Sequence, residues 1–220
     1  LAELVKIKLP DKKTQKIFEK NILHLFNFIG EKKIYSGSFT FKHFMLRDSV
    51  YMMAALNRLG GAKTAQSLLS NINSFNKGEL DNFGQIIFAL YDNYNFTKNL
   101  AFLEDRFKFV NICVGQIQKN LHKSGLLKKS FSCEKTGFQD NYLADNFWAL
   151  AGLRTALKKA ILLGKEKQIP RYTLLKATLS RNLTIFISTL FEKSKIKPFI
   201  PISPHRGLDA QLISGLASVY

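Results

Sequence analysis

Apolar positions recur along the chain with the 3.6-residue period of an α-helix, and they do so in two ways. Phe18, Ile22, Leu25 and Ile29 fall at i, i+4, i+7 and i+11. Leu103, Phe107, Val110, Val114, Ile117 and Leu121 make a longer stripe, and Tyr172, Leu175, Leu179, Leu183, Phe186 and Leu190 a third. Each stripe predicts an amphipathic helix with one wet face. Four other segments, VYMMAAL, GQIIFAL, NFWALAGL and QLISGLASVY, are apolar nearly all round and rich in Ala and Gly. Helices of that kind are buried on most sides, with small residues that let backbones approach closely. Strand signals are weak, because KIYSGSFTF alternates only briefly and lies among Gly and Ser, so it reads as a loop. The pattern predicts an all-α fold.

The two kinds of helix alternate, and each apolar segment opens on an acid: Asp48, Asp81, Asp145 and Asp209, at intervals of 33, 64 and 64 residues. In each, an Ala-Leu or Gly-Leu step follows seven to nine positions after the acid. This is a weak internal repeat of the kind that stacked helical hairpins produce. With the apolar helices as an inner ring and the amphipathic ones outside, all four acids are expected at one mouth of the ring, where a site would form. An aspartate at a helix start is also a natural cap. That reading competes most evenly at Asp81 and Asp145.

With 220 residues and 46% hydrophobic content, the chain can bury a substantial core, and residues 1–220 are expected to form a single domain. No stretch approaches the roughly 20 apolar residues needed to cross a bilayer, and LAELVKIKLPDKK has no apolar signal region or cleavage site. The chain lacks an initiator Met and is expected to be a fragment of a longer one. Cys113 and Cys133 have neither metal-ligand spacing nor a disulfide framework, which fits a reducing, cytoplasmic setting. His24, His43, His122 and His205 form no ligand spacing either, so no metal and no other cofactor is expected. The net charge of +17 invites a nucleic-acid reading. Its lysines, however, are spread through DKKTQK, HKSGLLKK, RTALKK, GKEKQ and EKSKIK, without the interleaved aromatics on which bases stack. Solvated helix ends and connections are the favoured reading, with no nucleic-acid or membrane partner.

FMLRDSVYMMAALNRLGG, Phe44 to Gly61, sets an arginine and an aspartate at the head of an apolar helix. It resembles the sugar-binding motif at an inner-helix entrance in six-hairpin, (α/α)6-toroid glycosidases of the glucoamylase-like and glycogen-debranching-like kind. That motif runs roughly Trp-x-Arg-Asp before an apolar helix. ELDNFGQIIFALYDNY, from Glu79, is similar to the next inner helix. GLLKKSFSCEKTGFQDNYLADNFWALAGL, from Gly125, is similar to a later loop and Asp-x-Phe-Trp helix, and HRGLDAQLISGLASVY to a further inner helix. The resemblance covers most of the chain from Pro10 onward.

The resemblance implies an (α/α) toroid of inner and outer helices, incomplete here, with about eight helices of a closed ring's twelve. It implies hydrolysis of an α-glucosidic bond in a glucan or oligosaccharide. Arg47 and Asp48 match the pair that holds hydroxyls of the terminal sugar, a task suited to a carboxylate that accepts from vicinal hydroxyls beside a guanidinium that donates. Asp81 and Asp145 stand at corresponding helix starts, and Trp148 offers either a sugar-stacking face or a core aromatic. Met45 stands where the family has Trp, which removes one platform for the sugar. Glycoside hydrolysis needs two carboxylates, and Glu134 in SFSCEKTG is the candidate general acid, with Asp140 as its rival. The second carboxylate is expected outside the chain. An incomplete ring would leave an apolar flank near the C-terminus, to be covered by self-association or by a further C-terminal segment. Two alternatives remain open: a non-catalytic carbohydrate-binding relative, and a basic helical scaffold that binds protein or nucleic acid.

Overall fold

A computed structural model describes residues 4–37, 39, 42, 44–72, 78–131, 139–193 and 201–203. Among them are eight α-helices and one two-stranded ladder. The chain divides into two compact units, one of Leu1–Ser74 with Asp92–Asn99, the other of Phe75–Tyr91 with Leu100–Tyr220. The all-α expectation holds.

The first unit contains α1 (Lys12–Asn27), α2 (Leu46–Arg58), α3 (Ala62–Ser70) and the last turns of α4 (Asp81–Thr97). Asp11 caps α1, its carboxylate accepting from the Thr14 N–H at 2.6 Å. The stripe of Phe18, Ile22 and Leu25 is half-buried, and no residue of α1 is fully buried. After Arg58 the chain reverses through Gly60, whose φ of +92° suits only glycine without strain, and α3 runs on from Gly61. Leu46, Val50, Met53 and Leu56 of α2 are buried, as are Ala65, Leu68 and Leu69 of α3. α2 is covered on most sides, with Tyr51, Ala55 and Arg58 on an exposed face. A buried polar knot ties α2 to the end of α4. Asn57 donates to Asp92 at 2.9 Å, Arg58 reaches both Asp92 oxygens at 3.2 and 3.3 Å, and Asn93 donates to Asn57 and to the Ala62 carbonyl at 2.8 Å each.

The second unit contains the start of α4, then α5 (Leu100–Asp105), α6 (Phe107–Lys119), β1 (Ser130–Phe131), β2 (Gln139–Asp140), α7 (Leu143–Leu162) and α8 (Ile169–Lys193). The stripe from Leu103 to Leu121 is divided between α5 and α6 at Arg106, whose ψ of −1° interrupts the helix without losing its phase. Leu103, Phe107, Val110, Val114 and Ile117 are all buried. The strands pair antiparallel, Ser130 opposite Asp140 and Phe131 opposite Gln139. On α7, Ala149, Leu153, Ala156 and Ala160 have no exposed surface. Gly84 of α4 and Gly152 of α7 meet backbone to backbone, and a Cβ on Gly152 would stand 2.6 Å from the Gly84 Cα. On α8, Tyr172, Leu175, Leu179 and Leu183 are buried as their spacing predicts. Tyr172 and Arg171 both donate to Asn111 of α6 at 3.1 Å.

One lysine departs from expectation. Lys159, in the RTALKK run read as solvated, is fully buried on α7. Its Nζ has no hydrogen-bond partner among the described residues. Burial, reinforced by the nearby Arg106 cation, lowers its pKa from 10.5 to about 7, while burial pushes the Cys113 thiol close by up to about 12.

Candidate functional site

The Arg47–Asp48 pair lies in the first turn of α2. The N-cap is Met45, extended at φ −123° and ψ 122°, and its side chain makes no capping hydrogen bond. The capping role open to Asp48 in the sequence is therefore not the one it takes; it is the third helical residue and half-buried. Arg47 beside it is only 8% exposed. Ser49, next along, spends its hydroxyl on the Met45 carbonyl at 2.7 Å. A cation in a first turn sits against the helix dipole.

In the second unit, Asp81 is the first residue of α4 and is 1% exposed. Its two oxygens accept from Asn82 at 3.0 Å and from Gln85 at 2.7 Å. The same Asn82 amide also donates to Glu79 at 3.0 Å. Glu79, Asn82 and Gln85 are all buried, so two carboxylates and two carboxamides share one desolvated pocket of polarity. Sequence reasoning passed over Glu79, Asn82 and Gln85. Their signal was polar residues at 79, 82 and 85, one helical face, directly ahead of the apolar run.

Asp145 is the third residue of α7, after an N-cap at Tyr142 whose side chain makes no capping hydrogen bond, and it accepts a short hydrogen bond from the Ser130 hydroxyl. Asn146, its neighbour, accepts from the Leu127 N–H at 2.8 Å and donates to the Tyr142 carbonyl at 2.9 Å. Asp140 is also buried, and accepts from Ser203 at 2.6 Å and from the Asn141 N–H at 2.8 Å. Phe131 donates its N–H to the Gly78 carbonyl at 3.0 Å. Two buried carboxylates, Asp140 itself and Asp145 through Ser130, thus stand at one end of the β1–β2 ladder, and the Gly78 carbonyl ties the other. Trp148 is 3% exposed, with its ring edge-on to Phe88 at 5.8 Å.

Asp81 and Asp145 come together to this extent: each lies three residues before the point where α4 meets α7, at Gly84 and at Trp148. Glu134, Asp209, His43, His205 and the expected C-terminal flank lie outside the described residues. Among the described residues there is no group of three His, Cys, Asp or Glu side chains placed to hold a metal ion. No helix of the described residues is long and apolar enough to cross a membrane.

Chemically, buried carboxylates at helix starts can accept hydrogen bonds from hydroxyl groups in a low dielectric, where such bonds are strong. No protein-family model and no curated protein sequence matches the chain. Among solved structures, it is similar to a rhamnosidase from Klebsiella oxytoca with rhamnose bound, at a TM-score of 0.73 and 11% sequence identity. The match covers 99% of this chain and 45% of the rhamnosidase, so the chain spans less than half of that protein's length. At that identity the likeness speaks for the fold alone, an all-α fold resembling that of the rhamnosidase.

Proposed function

We propose that the chain is a carbohydrate-binding, glycoside-hydrolase-like protein that holds the terminal sugar of an α-linked glucan or oligosaccharide through Arg47 and Asp48. The observation that carries this reading is the buried Arg47 in the first turn of α2 beside a half-buried Asp48 that caps nothing. An arginine there works against the helix by about 0.3–1 kcal/mol. A ligand that takes donors from the guanidinium and gives hydroxyls to the carboxylate offsets that cost. The fold likeness to an enzyme with rhamnose bound supports a sugar as the ligand class. Asp81 and Asp145, at helix starts of the second unit, are proposed as hydroxyl acceptors in their own right, and hydrolysis of the glycosidic bond is the proposed reaction, with Glu134 as general acid and Asp140 as its rival.

Replacing Asp48 with Asn tests it. The helix loses no cap, only the charge of a first-turn acid worth about 0.3–1 kcal/mol, so the melting temperature falls by no more than about a 1 kcal/mol change produces. Affinity for maltotriose, or for a rhamnose-terminated disaccharide, falls by about 1.5–3 kcal/mol, the usual worth of a bond to a charged group. Calorimetric titration of both proteins measures this. Binding unchanged in the variant, or a variant that unfolds, overturns the assignment.

A further inference from the structure

We infer that the first unit carries a second, separate saccharide site at the far end of α2, in the cavity between Gly60, the start of α3 and the end of α4. The cavity has a volume of about 640 Å³. That is within the roughly 300–1,000 Å³ of small-molecule pockets. Gly60 lies twelve residues beyond Asp48, which along a helix is about 18 Å, so one sugar ring cannot occupy both places.

Three features suit a pyranose ring. The first is a fixed aromatic surface. Phe96 is 45% exposed, yet the Arg58 guanidinium lies 5.4 Å from its ring centre, and that guanidinium is held by both oxygens of the buried Asp92. An exposed phenylalanine anchored through a salt-bridged arginine is a preorganised platform for the C–H face of a sugar. The second is a pair of planar amides. Asn99 donates to the Gln66 carbonyl oxygen at 3.3 Å, which turns the Gln66 amide nitrogen away from that contact as a donor for a hydroxyl. Lys63 adds a further donor at the rim. The third is a rigid turn. Lys98 adopts φ +52°, a conformation that costs a non-glycine residue, and it directs Thr97 and Asn99 to the cavity wall. Thr97 is locked in turn, donating to the Asn93 carbonyl at 3.1 Å while accepting from the Asn99 N–H at 3.3 Å. Among the described residues that line the cavity, the aromatic ring, amides and hydroxyl suit the C–H face and oxygen atoms of an uncharged ring.

The site stands on its own residues and does not need the Arg47–Asp48 reading to be right. The test titrates the 220-residue chain with maltoheptaose, with glucose and with inorganic phosphate, using wild type, Phe96→Ala, Gln66→Ala and Asp48→Asn. Phe96→Ala is expected to weaken the maltoheptaose interaction at least tenfold and Gln66→Ala severalfold, with unchanged melting temperatures and with Asp48→Asn retaining this component. Should Phe96→Ala prove unstable, Gln66→Ala, on the half-buried rim, carries the test alone. Maltoheptaose binding unaltered in both variants overturns the second site and leaves Arg47 and Asp48 untouched. Binding abolished by Asp48→Asn alone, or phosphate bound in preference to the sugars, overturns it as well.

Discussion

Replacing Lys159 with Met should stabilise the protein, and by an amount that depends on pH in a defined way. The lysine has no exposed surface and its amine makes no hydrogen bond among the described residues. Its pKa falls from 10.5 to about 7, chiefly because burial penalises the charged form and secondarily because Arg106 is near. Between those two values the unfolded chain binds a proton that the folded chain does not. Stability therefore drops as pH falls from about 10 to about 7, by ~1.4 kcal/mol per pH unit, and levels off below. Over the whole window the loss is on the order of 4 kcal/mol. Met fills a similar volume, suits a helix and cannot titrate. Urea unfolding of both proteins at half-unit steps from pH 6 to 10 gives the difference curve. Cys113 and Tyr172, whose pKa values burial raises to about 12, act in the opposite sense above pH 9, and Cys113 also feels the Lys159 charge, so the difference is read between pH 7 and 9. Parallel profiles, or a variant less stable than wild type at pH 7, would refute the argument.

Gly84→Ala should cost more than about 3 kcal/mol, because the new methyl would fall on the Trp148 carbonyl and backbone cannot yield as a side chain does; an unchanged melting temperature would mean that α4 and α7 do not meet there. Ser130→Ala should cost about 1–3 kcal/mol by depriving the buried Asp145 carboxylate of a donor. The loss should shrink when Asp145 is also replaced by Asn, and a thermal double-mutant cycle that adds without coupling would show the contact to be weak.

The helices were legible because burial on one face selects residues at the helical period. Tyr172, Leu175, Leu179 and Leu183 are buried together on α8 for that reason alone. The break at Arg106 was not legible, since the stripe keeps its phase across the turn. Which residue of α2 stays exposed was not legible either, because Tyr51 is covered only if a neighbour lies over it, and sequence carries no record of that neighbour. Arg47 and Asp48 could be picked out as charges at the head of an apolar run. Asp145 could be picked out too, but its partner Ser130 is fifteen residues away and on a different element. Glu79, Asn82 and Gln85 were missed because polar residues at a helix start look like ordinary surface until something covers them. Lys159 was misread for the converse reason, as one lysine in a run of them.

The meeting of Gly84 and Gly152 has a mechanical consequence. Most helix pairs are separated by a layer of side chains, which can change rotamer and absorb small displacements as a gasket does. Here there is no such layer, and peptide units bear directly on one another. A joint of this kind has no compliance, so a shift of α7 is passed to α4 as a movement of the whole helix. A contact that pulls on the start of α7 is therefore felt, undamped, by the carboxylates and amides at the start of α4.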